Sequence, residues 1–166
     1  MAAAFARIAR VLVGVLVSSW AFLWIVHAHL GTGPWHVVQQ GIAAHFGIAL
    51  GSAVWVTGAV FFVAALCTGE RPGVATLAAV LLGGVYINAL AGSVHDVHGS
   101  VARVVALLAG TVAMTFGGAL YMSAALGASP LDSLMTGIFR RTRWSLRTVR
   151  LALELFGLAL GAALGG

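Results

Sequence analysis

A chain of 166 residues in which 61% of side chains are hydrophobic and 8% charged, with a mean hydropathy of +1.04, has too few polar groups to cover a soluble domain. Nine Arg and no Lys stand against Glu70, Asp96, Asp132 and Glu154. Five of the Arg fall between positions 140 and 150, beside an apolar run, which suits lipid headgroups and topology control better than nucleic acid.

Arg7 and Arg10 precede the first apolar run, at about 11–30. No small-residue cleavage site follows it, so it reads as a retained span, not a signal peptide. Further runs lie at about 50–68, 74–91, 104–126 and 149–166, the last one short. Crossing the hydrocarbon layer takes about 20 apolar residues in a helix. Because the runs are continuous and not alternating, helices are expected over barrel strands. The predicted fold is therefore an all-α polytopic bundle of five spans. Cys67, the single cysteine, excludes an internal disulfide and reads as a small packing residue.

Short helices are predicted after the first and fourth runs, at about 34–46 and 130–141. Ser129 suits an N-cap, Pro130 the first helical position, and Asp132 completes a capping box. In the earlier segment Gly33 caps, Pro34 follows, and His36 takes the place of the acid. The two segments are copies: Leu30-Gly-x-x-Pro34-x-His36-x-x-x-x-Gly41-Ile42 returns without gaps as Leu126-Gly-x-x-Pro130-x-Asp132-x-x-x-x-Gly137-Ile138. The offset, 126 − 30 = 96, also pairs Arg7 with Arg103, Gly14 with Gly110 and Leu50 with Leu146. Residues 1–96 are expected to be a first membrane repeat with three spans. Residues 97–166 are expected to be a second repeat lacking its third span.

Arg residues mark alternate connections: the N-terminal tail, the 69–73 turn and the 127–147 segment carry them, and the 31–49 and 92–100 segments carry none. This puts the N-terminus in the cytoplasm, with Arg103 dissenting. Three spans then separate the starts of the two copies, so the second is inverted relative to the first. Inverted repeats are a common construction of secondary transporters, with sites near the midplane. Two readings of the proline segments stay open. One is a pair of helix N-termini at membrane depth, and the other, simpler one is a capped interfacial turn.

Asp132, Glu154, Asn88 and His36 are the candidate substrate or ion pathway residues. Arg150 and Glu154, four apart, are expected to pair, and Asn88 to hydrogen-bond between helices. Gly157, Gly161 and Gly165 form a predicted packing stripe, with Gly47 and Gly51 a shorter one, and either could also serve a homodimer. Trp35 and Trp144 are expected at membrane interfaces. The six histidines fall on or near the predicted outer side, but His27 and His29 should diverge on a helix, so no metal site is expected. No catalytic or phosphate-cradling motif is present, and neither enzymatic activity nor a cofactor is expected.

The paired proline segments, the Arg150-x-x-x-Glu154 pair and the closing Leu-Gly-Gly resemble the YczE/YyaS/YitT-like family of bacterial integral membrane proteins, over nearly the whole chain. The resemblance implies a multi-pass inner-membrane protein, sometimes labelled a permease. It also implies an Asp at the position held here by His36, and a further span after the final glycines. The expected function is a membrane protein of transporter-like architecture embedded in the bilayer. The alternative is a non-transporting partner that modulates another protein through helix packing.

Overall fold

Apolar runs bounded by glycine and proline fold into helix throughout. The computed structural model describes residues 2–165. Seven α-helices follow in order: α1 (Ala2–His27), α2 (Pro34–Phe46), α3 (Leu50–Cys67), α4 (Val74–Leu90), α5 (Ser100–Met122), α6 (Pro130–Arg141) and α7 (Leu146–Ala163). A 3₁₀ turn, Ala91–Ser93, follows α4, and there is no strand among the described residues. Among the described residues, four helical stretches are long and apolar enough to cross a membrane: Ala3–His27, Leu50–Cys67, Val74–Ser93 and Ser100–Met122. The last helix, α7, matches α3 in length but carries Arg147, Arg150 and Glu154.

Two boundaries differ from the sequence expectation. The first helix starts well before residue 11, and α5 covers 100–122 instead of 104–126. The apolar run continues past Met122, but Ala125 (φ 52°) and Gly127 (φ 141°) turn the backbone into left-handed space and end the helix. The end of α1 is broken at the matching positions, His29 (φ 51°) and Gly31 (φ 103°). Both pairs are 96 apart. So are the starts of α2 and α6 (130 − 34) and both ends of α3 and α7 (146 − 50 and 163 − 67).

The contacts repeat as the boundaries do. The first and fifth helices run antiparallel in close contact. A Cβ on Gly14 would lie 2.7 Å from the Gly117 carbonyl oxygen and 2.7 Å from the Tyr121 nitrogen. A Cβ on Gly110 would lie 3.2 Å from the Ala21 carbonyl oxygen and 2.8 Å from the Ile25 side chain. Adding 96 to Gly14, Ala21 and Ile25 gives Gly110, Gly117 and Tyr121, so this is one contact made twice. Likewise α2 packs along α7 and α3 along α6. Gly157 and Gly161 receive Trp35 and Val37 of α2, while Gly137 receives Thr68 at the end of α3.

These contacts correct parts of the expected glycine stripes. Gly157 and Gly161 pack within the chain, but Gly165 lies beyond the end of α7 with φ 74° and meets nothing within 4 Å. It ends a helix and packs no neighbour. Gly47 is the left-handed C-cap of α2, so it shares no helix with Gly51, which packs on Gly84.

Between α1 and α3 lies α4. Val11, Val15 and Ala75 form one buried cluster with Tyr121 and Ala124, and Phe22 and Leu23 form another with Ile87 and Val94. The α3–α4 hairpin is closed by Trp55 Nε1 donating to the Leu81 carbonyl at 2.8 Å. Large apolar side chains such as Val60, Val112, Phe116 and Leu151 point outward, as lipid contact requires.

Gly14→Ala tests the helix contact. Helix propensity alone would favour Ala by up to about 1 kcal/mol. The clash with the α5 backbone reverses the sign, and a net loss of about 1–3 kcal/mol is expected. Gly92→Ala, where no atom lies within 4 Å of the new Cβ, is the control. Denaturant unfolding in detergent measures both.

Candidate functional site

Proline fixes where α2 and α6 begin, and the chain before each brings that start inside the bundle. Residues 28–33 double back after α1, so that α2 starts beside Phe22, whose ring lies 4.3 Å from the His36 ring. Gly33 is the N-cap of α2, with extended backbone, and Pro34 is its first residue. Residues 123–129 return α5 in the same way. The Tyr121 hydroxyl donates to the Ala128 carbonyl at 3.0 Å, and Thr76 Oγ1 donates to the same carbonyl at 2.7 Å. Ser129 then caps α6, its Oγ accepting the Asp132 N–H at 3.1 Å, and Pro130 follows. The capping box takes a different form from the expected one: Ser129 Oγ also donates to the Asp132 carboxylate at 2.7 Å.

Both starts open on one cavity of about 280 Å³. Its walls come from α1 (Ser18, Ser19, Phe22), α3 (Val54), α4 (Ala79, Gly83, Ile87) and α5 (Met114, Gly118, Tyr121), with His36 and Gln39 from α2 and Ser129 at the head of α6. A neighbouring hollow of about 270 Å³ shares His36, Gln39 and Ser129 and adds Trp35, Thr57, Phe61 and Leu131. Neither is lined by Arg, Asp or Glu. Both proline-led starts carry the caps that the sequence expects. Trp35 packs between Phe61 (centroids 4.5 Å apart) and Gly157. Trp144 is exposed in the 142–145 connection.

Of the four predicted pathway residues, only His36 lines the cavity. Asp132 and Glu154 border a separate small cleft with Arg150, whose Nε is 3.8 Å from the Glu154 carboxylate. Asn88 sits on an exposed part of α4, and its Oδ1 accepts the Gly51 N–H at 2.9 Å. It satisfies an orphan donor in the first turn of α3, so its role is capping across helices. Gln39, which sequence reasoning did not single out, is one turn beyond His36 on the same face of α2. A polar side chain three residues after His36 was the available signal.

At the end of the first span, two histidines behave differently from expectation. The helix ends at His27, and His29 lies in left-handed backbone beyond it, so the two rings converge instead of diverging. His27 Nδ1 and His29 Nε2 each lie 2.8 Å from Asp96 Oδ1. The Val97 N–H donates to the His27 carbonyl at 3.0 Å and Arg103 Nε to the Val97 carbonyl at 3.1 Å, which ties down the Arg that dissents from the charge pattern. At the other end of the bundle, Arg140 Nη1 pairs with Glu70 at 2.9 Å beside a polar hollow of about 710 Å³.

A family of unknown function, DUF6198, matches residues 5–166. The chain belongs to this family. It is 31% identical over 142 residues to an uncharacterized protein of Haemophilus influenzae, covering 86% of this chain and 65% of that protein. It is 30% identical over 138 residues to the uncharacterized membrane protein YczE of Bacillus subtilis, covering 82% of this chain and 64% of that protein. The matches thus span slightly under two thirds of the length of these relatives, and the expected YczE-like resemblance holds. No solved structure matches the chain. Sequence, fold and relatives together make it an all-helical membrane protein.

Two predictions follow from the local geometry. Ser129→Ala removes the acceptor for the Asp132 N–H and should cost about 1 kcal/mol in denaturant unfolding, with Ser129→Thr largely restoring it. Asp96 is held at about 2, below its ordinary 3.8, first by the His27 hydrogen bond and then by that of His29. A lowered carboxyl value means stabilisation that is present above 3.8 and lost as pH falls through about 2. Carboxyl ¹³C NMR should give that low midpoint, and the His27→Ala/His29→Ala double variant should return it towards 3.8.

Proposed function

We propose that this protein is a transporter of the plasma (inner) membrane, with five spans built as an inverted repeat and its N-terminus in the cytoplasm. The observation that carries the reading is the shared cavity: His36 on α2 and Ser129 at the head of α6 line the same space. Half-helices that start inside the bundle and meet at a site between two repeats are a recurring device of secondary transporters.

Several features support the architecture. Helix boundaries recur at 96 residues, and the antiparallel α1–α5 contact is reciprocal. Reciprocity of this kind is what a two-fold relation between copies requires. α7 is the fifth span on this reading, with Arg147, Arg150 and Glu154 in its first half, toward the Arg-rich side. Arg10 reaches the Ser123 carbonyl and Arg140 pairs with Glu70, which supports one shared side for the Arg-bearing tail and the 69–73 and 127–147 segments, cytoplasmic on this reading. The packing-partner reading loses part of its basis, since Gly157 and Gly161 are occupied by α2.

Access to the cavity from both sides is the test. With Cys67→Ser as background, a cysteine at Ser19, which lines the cavity and is 5% exposed, reports on entry. A membrane-impermeant thiol reagent should label Ser19→Cys in right-side-out and in inverted vesicles. Labelling from neither side, or from one side alone, would sink the transport reading.

A further inference from the structure

The polar hollow beside the Arg140–Glu70 pair lies between residues of the 69–73 turn and the 126–128 stretch, with Ser133, Thr136 and Arg140 on its α6 wall. Its volume of about 710 Å³ falls within the about 300–1,000 Å³ usual for ligand sites. One span ends at Cys67 and the next begins at Val74, on either side of the turn. The hollow therefore opens at a membrane face, at the level of lipid headgroups.

Its charge is lopsided. Arg71 and Arg140 line it, and Arg141 lies against Gly69, with Nη2 3.0 Å from where a Cβ on that glycine would stand. Glu70 is the one carboxylate among the lining residues. It is bonded to Arg140, and its side chain is 16% exposed. Among the described residues, Arg71 and Arg141 pair with no carboxylate.

A buried hydroxyl adds a directed donor. Ser133 lines the hollow yet is 5% exposed. Its Oγ makes no hydrogen bond among the described residues, unlike the Thr136 hydroxyl on the same wall, which donates to the Asp132 carbonyl at 2.9 Å. The unpartnered side-chain atoms of the interior that are sealed from contact are the Trp24 and Trp35 indole nitrogens and Gln39 Oε1. Ser133 Oγ is not one of them, so it keeps surface that a group entering the hollow can reach. A buried hydroxyl without a partner is costly, and an acceptor there removes the cost.

An anion with several acceptor oxygens meets these demands. Guanidinium forks match phosphate oxygens in pairs, and a hydroxyl gives a charge-assisted bond to another oxygen of the same group. An ammonium would be repelled by the Arg side chains, and an apolar group would leave Ser133 unpaired.

We propose that this hollow binds a phosphate group of net negative charge, recognised by the Arg71 guanidinium and the Ser133 hydroxyl, with Arg140 and Arg141 adding to the positive field. Two sources carry that chemistry, the headgroup of an anionic phospholipid and a soluble phosphate ester. The site goes beyond the transport reading and stands without it.

Calorimetry on the full chain in phosphatidylcholine nanodiscs, with empty nanodiscs subtracted, tests the site with three probes: dihexanoyl phosphatidylglycerol, dihexanoyl phosphatidylcholine and glycerol 3-phosphate. Phosphatidylglycerol or glycerol 3-phosphate should bind saturably at one site, at least about ten-fold more tightly than phosphatidylcholine, whose own choline neutralises the phosphate. The tighter of the two anions names the source, headgroup or soluble ester. Arg71→Gln and Ser133→Ala should each weaken that probe about ten-fold. Arg147→Gln removes a charge from α7 that does not line the hollow and should leave binding unchanged. Arg71 is exposed, so its variant tests the site even should Ser133→Ala fold poorly. Saturable binding by neither anion, equal binding of phosphatidylcholine, or a folded Ser133→Ala variant that binds as before would overturn the proposal. So would a loss in Arg147→Gln as large as in Arg71→Gln, which would mean diffuse surface charge and no built site.

Discussion

Gly14, Gly110 and Gly117 let α1 and α5 touch backbone to backbone, and the remaining helices are arranged around that contact. Lipid tails are as apolar as leucine, so no hydrophobic force draws spans together within a bilayer. Close approach, with its dense van der Waals contact, supplies the attraction instead. A Cβ at any of the three positions would collide with the facing helix, within 3.2 Å of a backbone oxygen. The antiparallel seam sets the spacing of the two chain reversals, at residues 28–33 and 123–129, and hence the cavity between them.

The reversals are the second determinant. A proline at the first helical position costs nothing there, because its missing N–H would have had no partner inside the helix. Left-handed backbone at His29 and Ala125, by contrast, is unfavourable for residues with a side chain. His29 is held by its bond to Asp96. Ala125 is followed by a segment anchored by Thr76 and Tyr121 at the Ala128 carbonyl. Each reversal is thus fixed by contacts to a distant part of the chain.

Much of the arrangement was legible in the residues. Apolar runs announced the helices, and the Pro34 and Pro130 signatures located the starts of α2 and α6 to the residue. What these starts pack against was not legible. A proline-capped short helix has the same local sequence whatever surrounds it, and only the reversals bring each start to the cavity. His29 carries no glycine or asparagine to announce its backbone, so the convergence of His27 and His29 on Asp96 was hidden. Asn88 was recognisable as a hydrogen-bonding residue. Its partner, the Gly51 N–H, lies 37 positions away and could come only from the packing of α3 on α4. Gln39 escaped notice because amides on a short helix, here Gln39 and Gln40 together, usually face water.

The absence of Arg, Asp and Glu from the cavity walls has an electrical consequence. An elementary charge carried across a bilayer does work of about 2.3 kcal/mol for each 100 mV of potential. A chamber walled without Arg, Asp or Glu offers the field no fixed guanidinium or carboxylate on which to do that work.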